Sequence, residues 1–154
     1  MDKIKLFLLT VAAAAFLVAT TLHAGTAVQD IIKMDNKAYP EHKKGIVEFS
    51  HKKHAEEYGA SCGECHHDEK NQPLKNLKAG DNVQNCIECH KTPGEKPKGK
   101  DAPKLTRSQE LEYHAEAIHD NCRDCHKDYN KEKGLKAKDP GFAPTTCKEC
   151  HKEE

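Results

Sequence analysis

All eight cysteines of the chain fall inside four copies of one pentapeptide: Cys62-Gly63-Glu64-Cys65-His66, Cys86-Ile87-Glu88-Cys89-His90, Cys122-Arg123-Asp124-Cys125-His126 and Cys147-Lys148-Glu149-Cys150-His151. Cys-x-x-Cys-His is the attachment sequence of a c-type haem. Its two thiols become thioethers to the porphyrin vinyls, and the adjacent histidine binds iron. The chain therefore reads as carrying four covalently bound haems c. Their sulfur attachments are the eight cysteines, and their proximal ligands are His66, His90, His126 and His151.

Cysteine pairs also hold zinc and form disulfides. Twenty residues separate Cys65 from Cys86 and twenty-one separate Cys125 from Cys147, close to zinc-ribbon spacing. The histidine after every second cysteine decides between the readings. Histidine is 11 of 154 residues, so four chance placements carry a joint probability on the order of one in tens of thousands, and a ribbon has no use for them.

The start of the chain bears on the redox compartment. Lys3 and Lys5 flank the beginning of an apolar run from Ile4 to Val18, and small residues follow at Ala24, Gly25 and Ala27. This is the pattern of a secretory signal peptide, residues 1–24, cleaved after Ala24 or Ala27. An uncleaved anchor is the alternative, but Thr10, Thr20 and Thr21 dilute the run and no stop-transfer charges follow. The expected product is a single exported, periplasmic domain, residues 25–154.

Composition explains why such a domain needs its cofactors. Aromatics are 5%, tryptophan is absent, charged residues are 32% and mean hydropathy is −0.90. Chains this polar bury too little side chain to offset the entropy of ordering. Four porphyrins, each a rigid apolar plate, would supply the missing core, so folding is expected to be coupled to their attachment. The formal net charge is zero, which gives no hint of nucleic-acid binding.

Along the chain, Ile31 to Met34 and Ile46 to Phe49 are short apolar runs around a polar turn and predict a small N-terminal hairpin. Ser50 and Gly59 bracket a short helix that sets His51 and His54 three residues apart on neighbouring parts of one face. The Lys-, Pro- and Gly-rich stretch 91–104 reads as a mobile surface loop. Thr106 with Gln109 resembles a capping box opening a helix from Arg107 through the third motif to about Tyr129, and Thr146 with Glu149 caps a last short helix. The expected fold class is mostly α with much irregular chain, wrapped around four haems.

The distal side of each iron sets its chemistry. Met34 is the only methionine outside the expected signal segment, so methionine cannot serve four haems. Histidine must do most of it. Six histidines remain for four places: His42, His51, His54, His67, His114 and His119. Histidine in place of methionine keeps the reduction potential low.

These residues resemble the tetrahaem class III cytochromes c, usually called cytochrome c3, over most of the expected mature chain. The likeness is carried by the segment from Val47 to His54, by the double histidine His66-His67, and by Tyr113-His114 followed by His119-Asp120 ahead of the third motif. The resemblance implies that His51 ligates the first haem, His67 the second, His54 the third and His119 the fourth. His42 and His114 are left over, as solvated surface residues. A histidine directly after a proximal ligand cannot reach the other face of the same haem. His67 as a ligand must therefore bind a different iron, which ties the haems into one cluster. Many members of the family have four residues between the cysteines of the second and fourth sites, where this chain has two, and the 91–104 loop is longer here. A three-haem relative is excluded by the fourth motif.

The function implied is periplasmic electron transfer, from a hydrogenase or formate dehydrogenase to a membrane redox complex or another cytochrome, with no enzymatic activity. The rival is a multihaem reductase of a small oxyanion or a metal ion, which would need one iron with an open position. Seven lysines between Lys127 and Lys152 suggest a basic docking rim, with Lys131, Lys133, Lys136 and Lys138 near the fourth haem.

Overall fold

The structure is a computed structural model and describes residues 29–152. The expected signal peptide, residues 1–24, and its cleavage sites lie outside the described residues. Among the described residues no helix is long and apolar enough to cross a membrane.

The two short apolar runs pair as expected. β1 (Ile32–Lys33) and β2 (Glu48–Phe49) form an antiparallel two-stranded sheet with Ile32 opposite Phe49 and Lys33 opposite Glu48. The Met34 amide extends it with a 2.9 Å bond to the Val47 carbonyl. β2 runs directly into α1 (His51–Glu56). Ser50 stands at its N-cap, but its hydroxyl makes no cap bond; its carbonyl is used instead, by the His54 ring at 2.9 Å. Gly59, at φ +71°, turns the chain so that the Ala60 amide returns to the His54 carbonyl. That left-handed backbone favours glycine.

Three of the four pentapeptides form one-turn helices: α2 (Cys62–Cys65), α3 (Cys86–Cys89) and, last in the chain, α6 (Cys147–Cys150). Capping explains where two of them start. Asn85 accepts from the Ile87 amide while Glu88 reaches back to the Asn85 amide at 2.9 Å. Glu149 likewise takes the Thr146 amide and hydroxyl at 2.9 and 2.7 Å. The amides bonded in this way are donors that the start of a helix leaves unpaired.

The third pentapeptide sits inside the one long helix, and here the structure corrects the expectation of a single helix from Arg107. α4 (Arg107–Leu111) is opened by the expected Thr106 and Gln109 pair, then the chain breaks and α5 (His114–Lys133) begins. The cause is a strand-like contact from the segment after the second motif. The Thr92 amide bonds the Glu112 carbonyl at 2.9 Å, the His114 amide bonds the Thr92 carbonyl at 2.8 Å, and Tyr113 between them is extended. An amide spent on Thr92 is not available to close a helical turn. α5 runs past the expected end at Tyr129 and stops at Gly134, whose φ of +65° makes it a left-handed cap.

The same contact ties the first part of the expected 91–104 loop to α4 and α5. The Ala115 amide bonds the Gly94 carbonyl, the Lys96 ammonium pairs with Glu110, and the Lys96 amide reaches Glu116 at 3.2 Å. Arg107 in turn pairs with Asp120. The acidic residues of α4 and α5 are therefore largely engaged by basic side chains of the same chain.

α5 is the spine to which the motifs attach. Asn121 donates to the Cys65 carbonyl and Arg123 to the Thr145 carbonyl, both at 3.3 Å. Asn130, 5% exposed, both donates to the Ala143 carbonyl and accepts its amide at 2.8 Å. With His114 it is one of only two buried residues among those described, and no hydrophobic side chain is buried there. Side chains alone do not build an apolar core in this chain, as its composition leads one to expect.

Candidate metal centres

Burial raises several of the eight cysteine thiols above the ordinary thiol range. Cys122 is pushed up to about 11 by burial, with Cys65, Cys150 and Cys86 adding to it. Cys65 is raised by burial and then by Cys125. Cysteines of all four motifs thus sense one another, which places the four motifs around a shared interior. Among the described residues no three His, Cys, Asp or Glu side chains converge in the way a zinc ribbon's ligands would.

The histidines are arranged in facing pairs. The ring of His51 lies 6.3 Å from that of His66, His67 lies 6.0 Å from His90, His54 lies 6.0 Å from His126, and His119 lies 6.2 Å from His151. Metal–nitrogen bonds of about 2 Å on each side of one ion set two imidazole ring centres roughly 6 Å apart. Every motif histidine therefore faces one other imidazole at the separation that a shared iron requires. The four partners are the four residues that the family resemblance implies as distal ligands.

Backbone carbonyls hold most of these rings in the required tautomer. The Nδ1–H groups of His54, His67, His126 and His151 donate to the carbonyls of Ser50 (2.9 Å), Asp68 (2.8 Å), Pro144 (2.6 Å) and Gly45 (2.8 Å). His90 does the same to Leu111. A carbonyl can only accept, so in each ring the proton sits on Nδ1 and Nε2 keeps its lone pair for a metal. His51 differs: its Nδ1 is buried without a partner among the described residues. Burial lowers the pKa of His66 and of His119, favouring the neutral form that ligation needs. The donor set and the ring separations fit haem at each motif, and the tautomers fit in the five rings that a carbonyl holds.

The pairs share chain segments, and this fixes which are neighbours. His66 and His67 are consecutive, so the first and second pairs adjoin. His51 and His54 sit on α1, joining the first and third. His119 and His126 lie two turns apart on α5, about 10 Å along its axis, joining the third and fourth. The order of adjacency is second, first, third, fourth.

The two remaining histidines form a separate cluster around Tyr39. His42 stacks on the Tyr39 ring at 5.2 Å and its Nε2 pairs with Asp35 at 3.2 Å. His114 Nδ1 and the Tyr39 hydroxyl are hydrogen-bonded at 2.9 Å, and the two rings meet edge-on. The expectation of a solvated His114 is corrected, since it is only 7% exposed. Its burial follows from the helix break, which turns the first residue of α5 inward. Sequence reasoning missed Tyr39, Asn85 and Asn130. Only Asn85 carried a readable signal, an Asn three residues ahead of a Glu at a helix start. The carbonyl acceptors Gly45, Leu111 and Pro144 carry none, because any residue has a carbonyl.

No curated protein matches the chain. The class III cytochrome C family matches residues 27–151, a span that contains all four pentapeptides and both members of every facing pair. The chain belongs to the class III cytochrome c family, whose members bind haem c and transfer electrons through several haems.

Proposed function

We propose that the chain is an exported, low-potential electron carrier with four bis-histidine haems c, attached at the four pentapeptides. Its distal ligands in this reading are His51, His67, His54 and His119. One observation carries the proposal: each motif histidine has an imidazole facing it at 6.0 to 6.3 Å. Bound haem supplies a one-electron ferric/ferrous couple. The chain supplies the rest. It holds both axial nitrogens, fixes the tautomers of five of the eight rings through backbone carbonyls, and uses shared segments to keep successive centres close enough for short electron steps. A reductase needs an open iron position, and a facing ligand at every motif supports the carrier instead.

The donor in this reading is a hydrogenase or formate dehydrogenase of the exported compartment, and the acceptor is a membrane redox complex or another cytochrome. Charge supports a docking face at the fourth motif. A cavity of about 630 Å³ lined by Cys147 and His151 is rimmed by Lys43, Lys44 and Lys148. Such a rim raises the association rate of an acidic partner.

Haem stoichiometry by pyridine haemochrome, together with the spin state of the oxidised protein, tests the proposal. Four low-spin haems per chain are expected. Fewer than four, or a stoichiometric high-spin haem, would overturn it.

A further inference from the structure

Three of the four motif histidines donate Nδ1–H to a backbone carbonyl, and one of the three acceptors is unlike the others. Leu111 and Pro144 lie 21 and 18 positions from the histidines they hold, whereas Gly45 lies 106 positions from His151. The last motif is thus braced by the far end of the described chain, by the loop just ahead of β2.

Gly45 is confined from a second direction. A Cβ built on it would lie 1.8 Å from the Lys152 carbonyl oxygen and 3.0 Å from its carbon. The obstructing atoms are backbone, next in chain to His151, so no side-chain rotation relieves the clash. Gly45 is not among the residues with positive φ. Its requirement for glycine is therefore one of space and not of backbone conformation. Any larger residue must push the 43–46 segment away from 151–152, and the 2.8 Å bond from His151 to the Gly45 carbonyl lies across that same gap.

We propose that Gly45 is a positioning residue for the fourth centre: its carbonyl orients His151 and strengthens it as a donor, and its missing side chain permits the approach that makes the bond. The inference rests on the four-haem reading above. A hydrogen bond from Nδ1–H raises the basicity of a ligating imidazole. A stronger donor favours the ferric state, so the bond holds the potential of the fourth centre down. The loop that bears Gly45 also leads into β2 and α1, which carries His51 and His54. Order in the N-terminal segment is thereby coupled to the potential at the opposite end of the sequence.

The test is Gly45→Ala in the full haem-loaded protein, with haem count and spin state measured first. A wild type lacking four low-spin haems would fail the four-haem reading, whatever Gly45 does. Given four, the variant is expected to show one of its four reduction steps moved to higher potential and the other three near their wild-type positions. In the reduced, diamagnetic state the Nδ1 proton of His151 should exchange with solvent faster than in wild type. A four-haem Gly45→Ala protein with unchanged steps and unchanged exchange would overturn the proposal. If the variant does not accumulate, the wild type still decides. Its His151 Nδ1 proton should be slowly exchanging and show magnetisation transfer to the Gly45 α protons, and failure to do so would equally overturn it.

Discussion

The imidazoles of His54 and His126 face each other nearly parallel, at 22° between planes, while the other three facing pairs are crossed at 68° to 85°. The difference arises from the elements that carry them. His126 stays within α5 with its ring tied to Pro144, whereas His66, His90 and His151 follow one-turn helices in non-helical backbone.

Ring orientation is expected to be visible in spin resonance. Parallel imidazole planes donate into the same iron d orbital and split it from its neighbour; crossed planes act on both alike and leave a large orbital moment. The oxidised protein should show one ordinary rhombic low-spin signal and three strongly anisotropic ones. Four rhombic signals would refute the crossed geometry.

Histidine replacements should separate facing rings from the others. His119→Ala removes the partner of His151 and should leave one haem high-spin and open to carbon monoxide. His114→Ala should leave all four low-spin. It should instead lower stability by about 1–3 kcal/mol, from the loss of the buried imidazole and of its bond to the half-buried Tyr39 hydroxyl, as read from denaturant midpoints.

His114 should also give stability a pH dependence. Burial, and then His90, lowers its pKa in the folded chain below the ordinary histidine value of 6.5. Tyr39 faces its Nδ1, with His42 and Asp35 beyond the same ring. The unfolded chain then binds the proton first as pH falls. Stability from the neutral ring is fully present above 6.5 and declines as pH drops toward the lowered folded value. Denaturation midpoints from pH 7.5 to 5 should fall more steeply for wild type than for His114→Gln; parallel curves would exclude this residue as the source.

Haem attachment should be required for accumulation of the folded chain. No hydrophobic side chain is buried among the described residues, so there is little side-chain core to fall back on when a porphyrin is missing. Cys86→Ser should yield several-fold less mature protein than an exposed-lysine substitution. Normal yield with unchanged thermal stability would show that the core is built some other way.

Docking can be assigned by charge reversal. Replacing Lys43, Lys44 and Lys148 with glutamate should slow reduction by a hydrogenase at low ionic strength, and the gap should close as salt rises. The same exchange at Lys131, Lys133, Lys136 and Lys138 tests the lysines expected from sequence, none of which lines the cavity at Cys147 and His151. If only the second set slows the reaction, the docking face lies along the end of α5.

The sequence by itself determined the chemistry that is local. Thioether attachment needs two thiols and a histidine within five residues, so all four candidate attachment sequences are legible as strings. Caps at Thr106 and Thr146 and the pairing of two β-branched runs are readable for the same reason, since their partners lie close along the chain. The tertiary structure alone decided what depends on residues far apart. Spacing left six histidines for four places, and only the fold brings His51, His54, His67 and His119 before the motif rings while turning His114 toward Tyr39. The helix break at Tyr113 follows from Thr92, and the bond on His151 follows from Gly45. Neither leaves a trace in composition or periodicity, because a backbone carbonyl is the same in every residue and only its position makes it an acceptor.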